Sequence, residues 1–583
     1  MWARKAALAL ACLAGTTAAQ AAAPDIERGR DPISCAPFVS ADGQPRRVVC
    51  ADVAALDHML VYNRFGSFNP FGMIFALRRD LSSSETNAAL ITADECDTVT
   101  GSEEGKGPLE AGKVRLKDCK RARPLVLRAN VGDVLHLRVT NFLAPFGPDF
   151  SRDFCWGTLA ASEAKRAIRA AVSEGTADEA AVGEVACGSG SQKDEGPRGP
   201  SLDWPSTRGL SVAIQGMTAI AGPGGTRDEA CLGLRAFAPG EIVNCFFEID
   251  REGTYFLSSK AAPAGGEGDG GSITHGLFGA VVVEQKATAW YRSQVSRRAL
   301  DEVWKRSGEG CEPDGALPRH ARLCRLDYDR GHASAAPGIP ELRMTKERQP
   351  GAEEIIHADL NAIVYRPAGL PDPDRPGTTL GEVKFREFSV FFHDELKTFF
   401  TKNFEELARF GQLAGVRDGF AINYGSSGMG TMLLANRKKI GPANDCAECL
   451  YEEFFLQSWA NGDPALLEQF PDDPSNVHHS YLNDRIVFRN FHAGPKETHV
   501  FHLHAHQWFA GNDPNRGSYL DSQTVSPQQG FTYNIYGGGL KGGEETLGSG
   551  NRNRTVGDSI FHCHLYPHFA QGMWELWRVH DVL

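Results

Sequence analysis

Two short clusters near the C-terminal end of the chain gather residue types that bind transition metals. The first cluster contains four of the eighteen histidines, which are His499, His502, His504 and His506. The second cluster adds three histidines, a cysteine and a methionine, which are His562, Cys563, His564, His568 and Met573. Imidazole, thiolate and thioether groups together suit a metal that cycles between Cu(II) and Cu(I), so the spacing indicates redox chemistry.

The alternation of side chains along a β-strand divides these residues between two faces. His562 and His564 point one way and Cys563 points the other, so three consecutive residues can serve two metal sites. On the Cys563 face we expect the ligand set of a type 1 copper, formed by His499, Cys563, His568 and Met573. On the opposite face we expect an all-imidazole set suited to oxygen-binding copper, formed by His502, His504, His562 and His564.

Two other interpretations of the clusters are weaker. Paired histidines are also zinc ligands, but zinc sites do not usually include a methionine at this offset. Solvent-exposed histidines are common, but seven of them in two clusters around one cysteine are hard to obtain by accident. The neighbouring histidines are predicted to be structural, and they are His478, His479, His492, His506 and His580.

Much of the chain has the period-two pattern of short β-strands, as in 134–139 and 485–489. The segments that carry the candidate ligands also belong to an internal repeat. The first half contains VGDVLHLRVTNF, LSVAIQGM, GTYFLSSK and HGLFGAVVVE, and the second half contains LNDRIVFRNFHA, HVFHLHAHQWF, GDSIFHCH and QGMWELWRVHDV in the same order. This pattern predicts two copies of one β-sandwich.

The motifs HVFHLH and HCHLYPHFAQGM resemble the third and fourth copper motifs of multicopper oxidases. The segments NGDP, YLNDR, HAGPKE and GSGNRNRTVGDS resemble the large bacterial members linked to manganese oxidation. The resemblance covers residues 120–285 and 355–583. It implies an all-β fold of two or more cupredoxin-like Greek-key β-sandwich domains with helical and loop insertions.

The resemblance also implies a role for each ligand. His499, Cys563, His568 and Met573 match type 1 ligands, His502 matches a type 2 ligand, and type 3 ligands are matched by His504, His562 and His564. The implied activity is copper-dependent oxidation of a metal ion or small organic reductant, coupled to reduction of O2. Catalytic electron transfer would run from Cys563 through its covalent neighbours His562 and His564.

The first half departs from the family pattern, because the family places two further His-x-His motifs there. The repeat aligns Ala213 and Gln215 with one motif and Ser258 and Lys260 with the other, and Ser259 stands where Cys563 stands. We therefore expect no copper in the first sandwich. Three explanations remain open: a further domain supplies the four missing histidines, a partner chain supplies them, or the protein is a type 1 electron-transfer or copper-binding protein without oxidase activity.

The N-terminus has the pattern of a signal peptide, which predicts export to the periplasm or outside the cell. Arg4 and Lys5 precede an apolar run, and Ala19-Gln20-Ala21 is a cleavage signal. The remaining boundaries are predictions from composition and the repeat: a signal peptide at 1–21, an N-terminal segment at 22–119, a cupredoxin-like domain without copper ligands at 120–285, a linker at 286–354 and a copper-binding cupredoxin-like domain at 355–583. Insertions are expected at 161–185, which is predicted helical, and at 261–272.

Composition limits the partners of the chain. The net charge is −12 and no long Lys/Arg run occurs, which argues against nucleic acid as a partner. Beyond the N-terminus no apolar run approaches the roughly 18 residues of a membrane span. An exported chain with fourteen cysteines is expected to contain disulfides. The expected partners are a small reductant and O2.

Overall fold

The computed structural model describes part of the chain, namely residues 33–39, 43, 45–62, 67–84, 109–117, 120–146, 205–261, 271–295, 299, 341–372, 376–397, 399–400, 418–425, 477–536, 548–551, 554–570 and 572–581. The predicted signal peptide at 1–21 and the predicted helical insertion at 161–185 lie outside these residues, as does most of the predicted loop at 261–272.

The regular secondary structure of the described residues is almost entirely β-strand. In the first half these are β1 (Phe38–Val39), β2 (Pro45–Arg46), β3 (Val48–Asp57), β4 (Leu60–Val61), β5 (Ser67–Asn69), β6 (Met73–Leu77), β7 (Leu81–Ser83), β8 (Val114–Leu116), β9 (Leu125–Asn130), β10 (Val134–Asn141), β11 (Ala213–Ile214), β12 (Thr218–Ile220), β13 (Ile242–Glu248), β14 (Gly253–Ser258), β15 (Phe278–Glu284) and β16 (Ala289–Arg292). Short 3-10 helices cover Arg78–Asp80 and Glu229–Leu232.

The second half continues the same architecture. Its strands are β17 (Thr345–Gln349), β18 (Ala352–Ile355), β19 (Asn361–Arg366), β20 (Leu370–Pro371), β21 (Thr379–Leu380), β22 (Val383–Lys397), β23 (Phe399–Phe400), β24 (Asp418–Ile422), β25 (His478–Tyr481), β26 (Ile486–His492), β27 (His499–Leu503), β28 (Gln507–Phe509), β29 (Tyr519–Leu520), β30 (Ser522–Val525), β31 (Gly530–Tyr536), β32 (Gly557–Cys563) and β33 (Trp574–His580). The 3-10 helix Ala510–Asn512 and the helix α1 (Tyr566–Ala570) complete the set of described elements.

The first sandwich packs two sheets over one apolar core. One sheet has the strand order β12-β13-β10-β3-β18-β17, with β6 also paired to β3, and the other has the order β11-β14-β15-β9. Strand β13 shows why these segments form strands, because Val243, Cys245 and Phe247 are buried in the core while the residues between them are more exposed.

The second sandwich repeats this topology. Its sheets have the orders β16-β19-β22-β26-β31-β28-β29, with β24 also paired to β22, and β25-β33-β32-β27-β30. Strands β3, β10 and β13 correspond to β22, β26 and β31, and strands β9, β15, β14 and β11 correspond to β25, β33, β32 and β27. The parallel pairs agree as well, since β3/β10 matches β22/β26 and β9/β15 matches β25/β33. The prediction of an all-β fold built from cupredoxin-like Greek-key sandwiches is confirmed.

The segment expected to be a linker, 286–354, contributes strands to both sandwiches. Strand β16 pairs with β19 of the second sandwich, whereas β17 and β18 extend the first sandwich through parallel pairing of β18 with β3. Strand β3 itself lies in the segment expected to precede the first sandwich. The polar sequence TKERQ of β17 has no apolar alternation, because this strand lies at the sheet edge and is largely exposed.

A buried ionic cluster joins the two sandwiches. Glu387 of β22 accepts hydrogen bonds from Arg128 of β9 at 2.9 Å and from Arg489 of β26 at 3.0 Å. Arg489 also pairs with Glu284 of β15. Glu387 is fully buried, and the two guanidinium side chains are 2% and 4% exposed. Strands of both halves are therefore held in contact by opposite charges that are shielded from water.

Disulfides are present, as expected for this chain. Cys35 pairs with Cys50, and Cys231 pairs with Cys245. Cys563 is the only free cysteine among the described residues, and it is buried. No helix in the described part of the chain is long and apolar enough to cross a membrane.

Candidate metal centre

Strands β27 and β32 bring the two histidine clusters together. They pair antiparallel with Phe501 opposite Cys563 and His502 opposite His562. Because residues opposite each other in antiparallel strands share a face, His499 lies on the same face as Cys563, two residues before Phe501. The imidazoles of His502 and His562 lie on the other face. The two-faced arrangement expected from the sequence is therefore the arrangement of the strands.

On the core-facing side, three ligand atoms converge. The Nδ1 atoms of His499 and His568 lie 2.9 Å apart, and the Sγ atom of Cys563 lies 3.7 Å from the first and 3.4 Å from the second. Metal–nitrogen bonds of about 2.0 Å and metal–sulfur bonds of about 2.3 Å place ligand atoms of one ion roughly 3 to 4 Å apart. The spacing therefore fits a single ion held by two imidazoles and a thiolate.

Met573 belongs to the same core. Its side chain is fully buried in the apolar cluster that contains Cys563. Its backbone is fixed next to two ligands, because Cys563 N–H donates to the Met573 carbonyl and Met573 N–H donates to the His568 carbonyl. The soft thioether and thiolate, with two imidazoles, form the donor set that copper prefers over zinc at a redox site.

The protonation of these groups follows from their burial. Burial raises the pKa of the Cys563 thiol to about 11. Burial also lowers the pKa of His499 and His568, so both rings are neutral near pH 7. A metal ion that binds here must displace the proton of the Cys563 thiol. The neutral imidazoles can donate a lone pair to the metal without losing a proton.

The opposite face presents a half-exposed group of imidazoles. The Nε2 atoms of His504 and His562 lie 3.1 Å apart, and a nitrogen of His502 lies within 4.8 Å of both. The ring of His564 lies 5.0 Å from that of His502. His502 and His562 are held by their Nδ1 atoms, which bond the Asp521 and Cys563 carbonyls at 2.9 Å and 2.8 Å. This leaves both Nε2 lone pairs available to a metal.

The equivalent positions of the first sandwich carry no imidazole. Ala213 of β11 lies opposite Ser258 of β14, in the register that places His502 opposite His562. Ser259, in the place of Cys563, accepts a hydrogen bond from Ser211 N–H at 3.0 Å. Neither alanine nor a hydrogen-bonded serine is a copper ligand.

Two carboxylates next to the core-facing ligands were not predicted from the sequence. Glu497 Oε2 lies 2.8 Å from His568 Nε2, and Asp394 Oδ2 lies 3.6 Å from His499 Nε2. The sequence contains one signal for Asp394, since a carboxylate inside the apolar strand FSVFFHDE requires a partner when it is buried. Glu497 precedes His499 by two residues, which gives no indication that it contacts His568.

Of the histidines predicted to be structural, His506 and His492 have both ring nitrogens engaged by backbone groups. His506 Nδ1 lies 3.1 Å from the His504 carbonyl, and its Nε2 accepts from Gly550 N–H. His492 Nε2 bonds the Glu497 carbonyl, and its Nδ1 accepts from Gly494 N–H. Neither ring has a nitrogen left for a metal.

Comparison with known proteins gives structural matches alone. No family model matches the chain, and no curated protein matches its sequence. The chain is similar to a copper nitrite reductase from Nitrosomonas europaea, with 11% identity over 92% of this chain and 94% of that chain and a TM-score of 0.35. It is also similar to a multicopper oxidase (9% identity, 94% and 93% coverage, TM-score 0.35) and to a blue copper oxidase from Nitrosomonas europaea (10%, 91% and 86%, 0.34). The fold assignment rests on the sheet topology described above.

Proposed function

We propose that this chain is a copper-dependent oxidoreductase of the multicopper oxidase type, which takes electrons singly from a metal ion or small organic reductant. The observation that carries the proposal is the convergence of His499 Nδ1, His568 Nδ1 and Cys563 Sγ around one buried point. Copper bound there would supply a one-electron Cu(II)/Cu(I) couple suited to the soft sulfur ligands. We assign His499, Cys563, His568 and Met573 to this site.

Electrons enter this site at the edge of His568. His499 is fully buried, whereas the side chain of His568 is 10% exposed, and its Nε2 atom contacts the Glu497 carboxylate. Glu497 is itself 37% exposed, so its carboxylate faces solvent beside the ring. Phe420 stacks on the ring at 4.4 Å and fixes its plane. A carboxylate in this position favours a cationic reductant such as a divalent metal ion.

Electrons leave the site through Cys563. Peptide bonds join Cys563 to His562 and His564, which project to the opposite face of the strand. The hydrogen bond of 2.8 Å between His562 Nδ1 and the Cys563 carbonyl adds a second short connection. His502, His504, His562 and His564 would hold the oxygen-reducing copper on that face, with the remaining ligands supplied by a further domain or a partner chain.

The alternative function is that of a type 1 electron-transfer or copper-binding protein without oxidase activity. One observation favours it, because the pair Ala213 and Ser258 occupies the register position where the second sandwich has His502 and His562. These positions of the first sandwich therefore offer no imidazole to complete an oxygen-reducing cluster.

The two functions are separated by loading the full chain with Cu(II) and measuring copper content, visible absorption and oxygen uptake with a reductant. Both predict an intense blue thiolate-to-copper band that Cys563→Ser abolishes. Ser259→Ala is the matched control, because it removes the equivalent side chain in the first sandwich and should leave the band unchanged. Oxygen uptake supports the oxidase, and a blue band without uptake excludes oxidase activity of this chain on its own. A wild-type chain that binds copper without a blue band would overturn the assignment of a type 1 site in both functions.

A further inference from the structure

A buried carboxylate faces the side of His499 that points away from the copper ligands. His499 directs Nδ1 toward Cys563 and His568, so its Nε2 lies on the far edge of the ring. Asp394 Oδ2 lies 3.6 Å from that Nε2, and both side chains are fully buried. Among the described residues, His499 Nε2 and Asp394 Oδ1 have no hydrogen-bond partner. The two groups are therefore complementary and shielded from water.

The loop between β26 and β27 holds Asp394 in this position. Glu497 N–H donates to Asp394 Oδ2 at 2.8 Å. Gly494 supplies the second restraint, because a Cβ atom on this residue would lie 1.5 Å from Asp394 Oδ1. Only glycine admits the carboxylate here, so the loop fits the Asp394 side chain closely.

The carboxylate does not form a second metal site with its neighbours. Asp394, His492 and His499 offer ligand atoms within 4.8 Å of one another, and the two rings stack at 4.4 Å. However, Gly494 N–H donates to His492 Nδ1, and His492 Nε2 bonds the Glu497 carbonyl. Because both His492 nitrogens are already hydrogen-bonded, the Asp394 carboxylate interacts with the imidazole of His499.

We propose that Asp394 is a positioning residue of the copper centre, which holds His499 in the Nε2–H tautomer and strengthens its Nδ1 donation to the metal. This inference rests on the proposed function. A carboxylate that accepts the outer N–H of a metal-bound histidine fixes the ring and raises the basicity of the ligand. A more basic ligand stabilises Cu(II) over Cu(I), so Asp394 lowers the reduction potential. Asp394 should lower the reduction potential more than Glu497 does, because water competes for hydrogen bonds to the partly exposed Glu497 carboxylate.

The test compares Asp394→Asn with wild type in the copper-loaded full chain. A redox titration follows the blue band, and chelator competition gives the Cu(II) affinity. Both quantities are measured for each variant and the wild type in the same buffer at one pH. We expect the blue band to persist, Cu(II) binding to weaken about tenfold, and the Cu(II)/Cu(I) equilibrium to shift about tenfold toward Cu(I), which is about 59 mV for one electron.

Two further variants make the test specific. Glu395→Gln removes a negative charge from the neighbouring residue, whose carboxylate pairs with Lys496 at 2.7 Å. This control should shift the Cu(II)/Cu(I) equilibrium less than about twofold. Gly494→Ala displaces the Asp394 carboxylate without removing it and should reproduce the direction of the Asp394→Asn shift, which keeps the test available if Asp394→Asn does not fold.

Two results would overturn the assignment of Asp394 while leaving the copper site intact. One is a Cu(II)/Cu(I) equilibrium constant and a Cu(II) affinity that both stay within about twofold of wild type in Asp394→Asn. Where that variant does not fold, the same result in Gly494→Ala has the same meaning. The other is an equal shift in Glu395→Gln, which would reduce the effect to general electrostatics. Absence of the blue band from the wild-type protein would instead contradict the proposed function.

Discussion

Substitution of Glu387 by glutamine should destabilise the junction of the two sandwiches. Glu387 is fully buried and is bonded by Arg128 and Arg489 at 2.9 Å and 3.0 Å, so Glu387→Gln leaves two buried guanidinium groups without their shared counter-charge. Breaking a buried ion pair by removing one partner costs about 3–5 kcal/mol. Glutamine keeps one acceptor oxygen, and Arg489 retains Glu284, so we expect about 3 kcal/mol, at the lower end of that range.

The assay is equilibrium urea unfolding of the full chain, followed by tryptophan fluorescence. Glu382→Gln is the matched control, because Glu382 lies five residues earlier and pairs with Lys384 at the surface, with the two side chains 49% and 65% exposed. An exposed pair of this kind contributes less than about 1 kcal/mol. A Glu387→Gln variant that is no less stable than Glu382→Gln would refute the view that this cluster holds the sandwiches together.

Three further predictions concern electron entry, acid stability and a disulfide. Glu497→Gln should slow the reduction of the copper centre by a cationic reductant about tenfold, while the rate of reduction by a neutral phenol should change less than about twofold. Both rates are measured by stopped-flow bleaching of the blue band. Equal slowing with both reductants would contradict electron entry beside Glu497. Burial lowers the pKa of His506 to about 4 from 6.5, and its Nε2 accepts a hydrogen bond from Gly550 N–H, which only the neutral ring can do. Its contribution to stability is therefore present above pH 6.5 and declines by up to about 1.4 kcal/mol per pH unit as the pH falls toward 4. His506→Gln should flatten the decline in urea midpoint between about pH 6.5 and 4, and an unchanged slope would exclude this role. Replacing Cys231 and Cys245 by serine should destabilise the protein by about 3 kcal/mol in thermal unfolding, because their disulfide closes a loop of 14 residues; an unchanged melting temperature would be inconsistent with a closed disulfide.

The sequence predicted the β-fold and the two faces of the metal site because both depend on local alternation. Cys563 and His562 are neighbours in one strand, so their opposite directions follow from strand geometry alone. The repeat also aligned Ala213 with His502 and Ser258 with His562, and the paired strands show the same correspondence. Matching one strand to another needs no knowledge of long-range packing.

Contacts between distant segments could not be predicted in the same way. Asp394 and His499 are separated by more than one hundred residues and meet only because β22 and β26 pair in parallel and set the loop that follows β26 beside the end of β22. The segment 286–354 was predicted to be a linker because it is rich in Arg, Pro and Gly. Its short strands instead pair with strands of both sandwiches. Edge pairing depends on backbone groups, which leave little trace in the sequence.

The most direct test of the central claim is the position of copper in crystals of the copper-loaded full chain, located from its anomalous scattering. The structure predicts an anomalous peak between His499 Nδ1, His568 Nδ1 and Cys563 Sγ. Copper peaks at other histidines and none at this point would contradict the assignment of a type 1 centre to these residues.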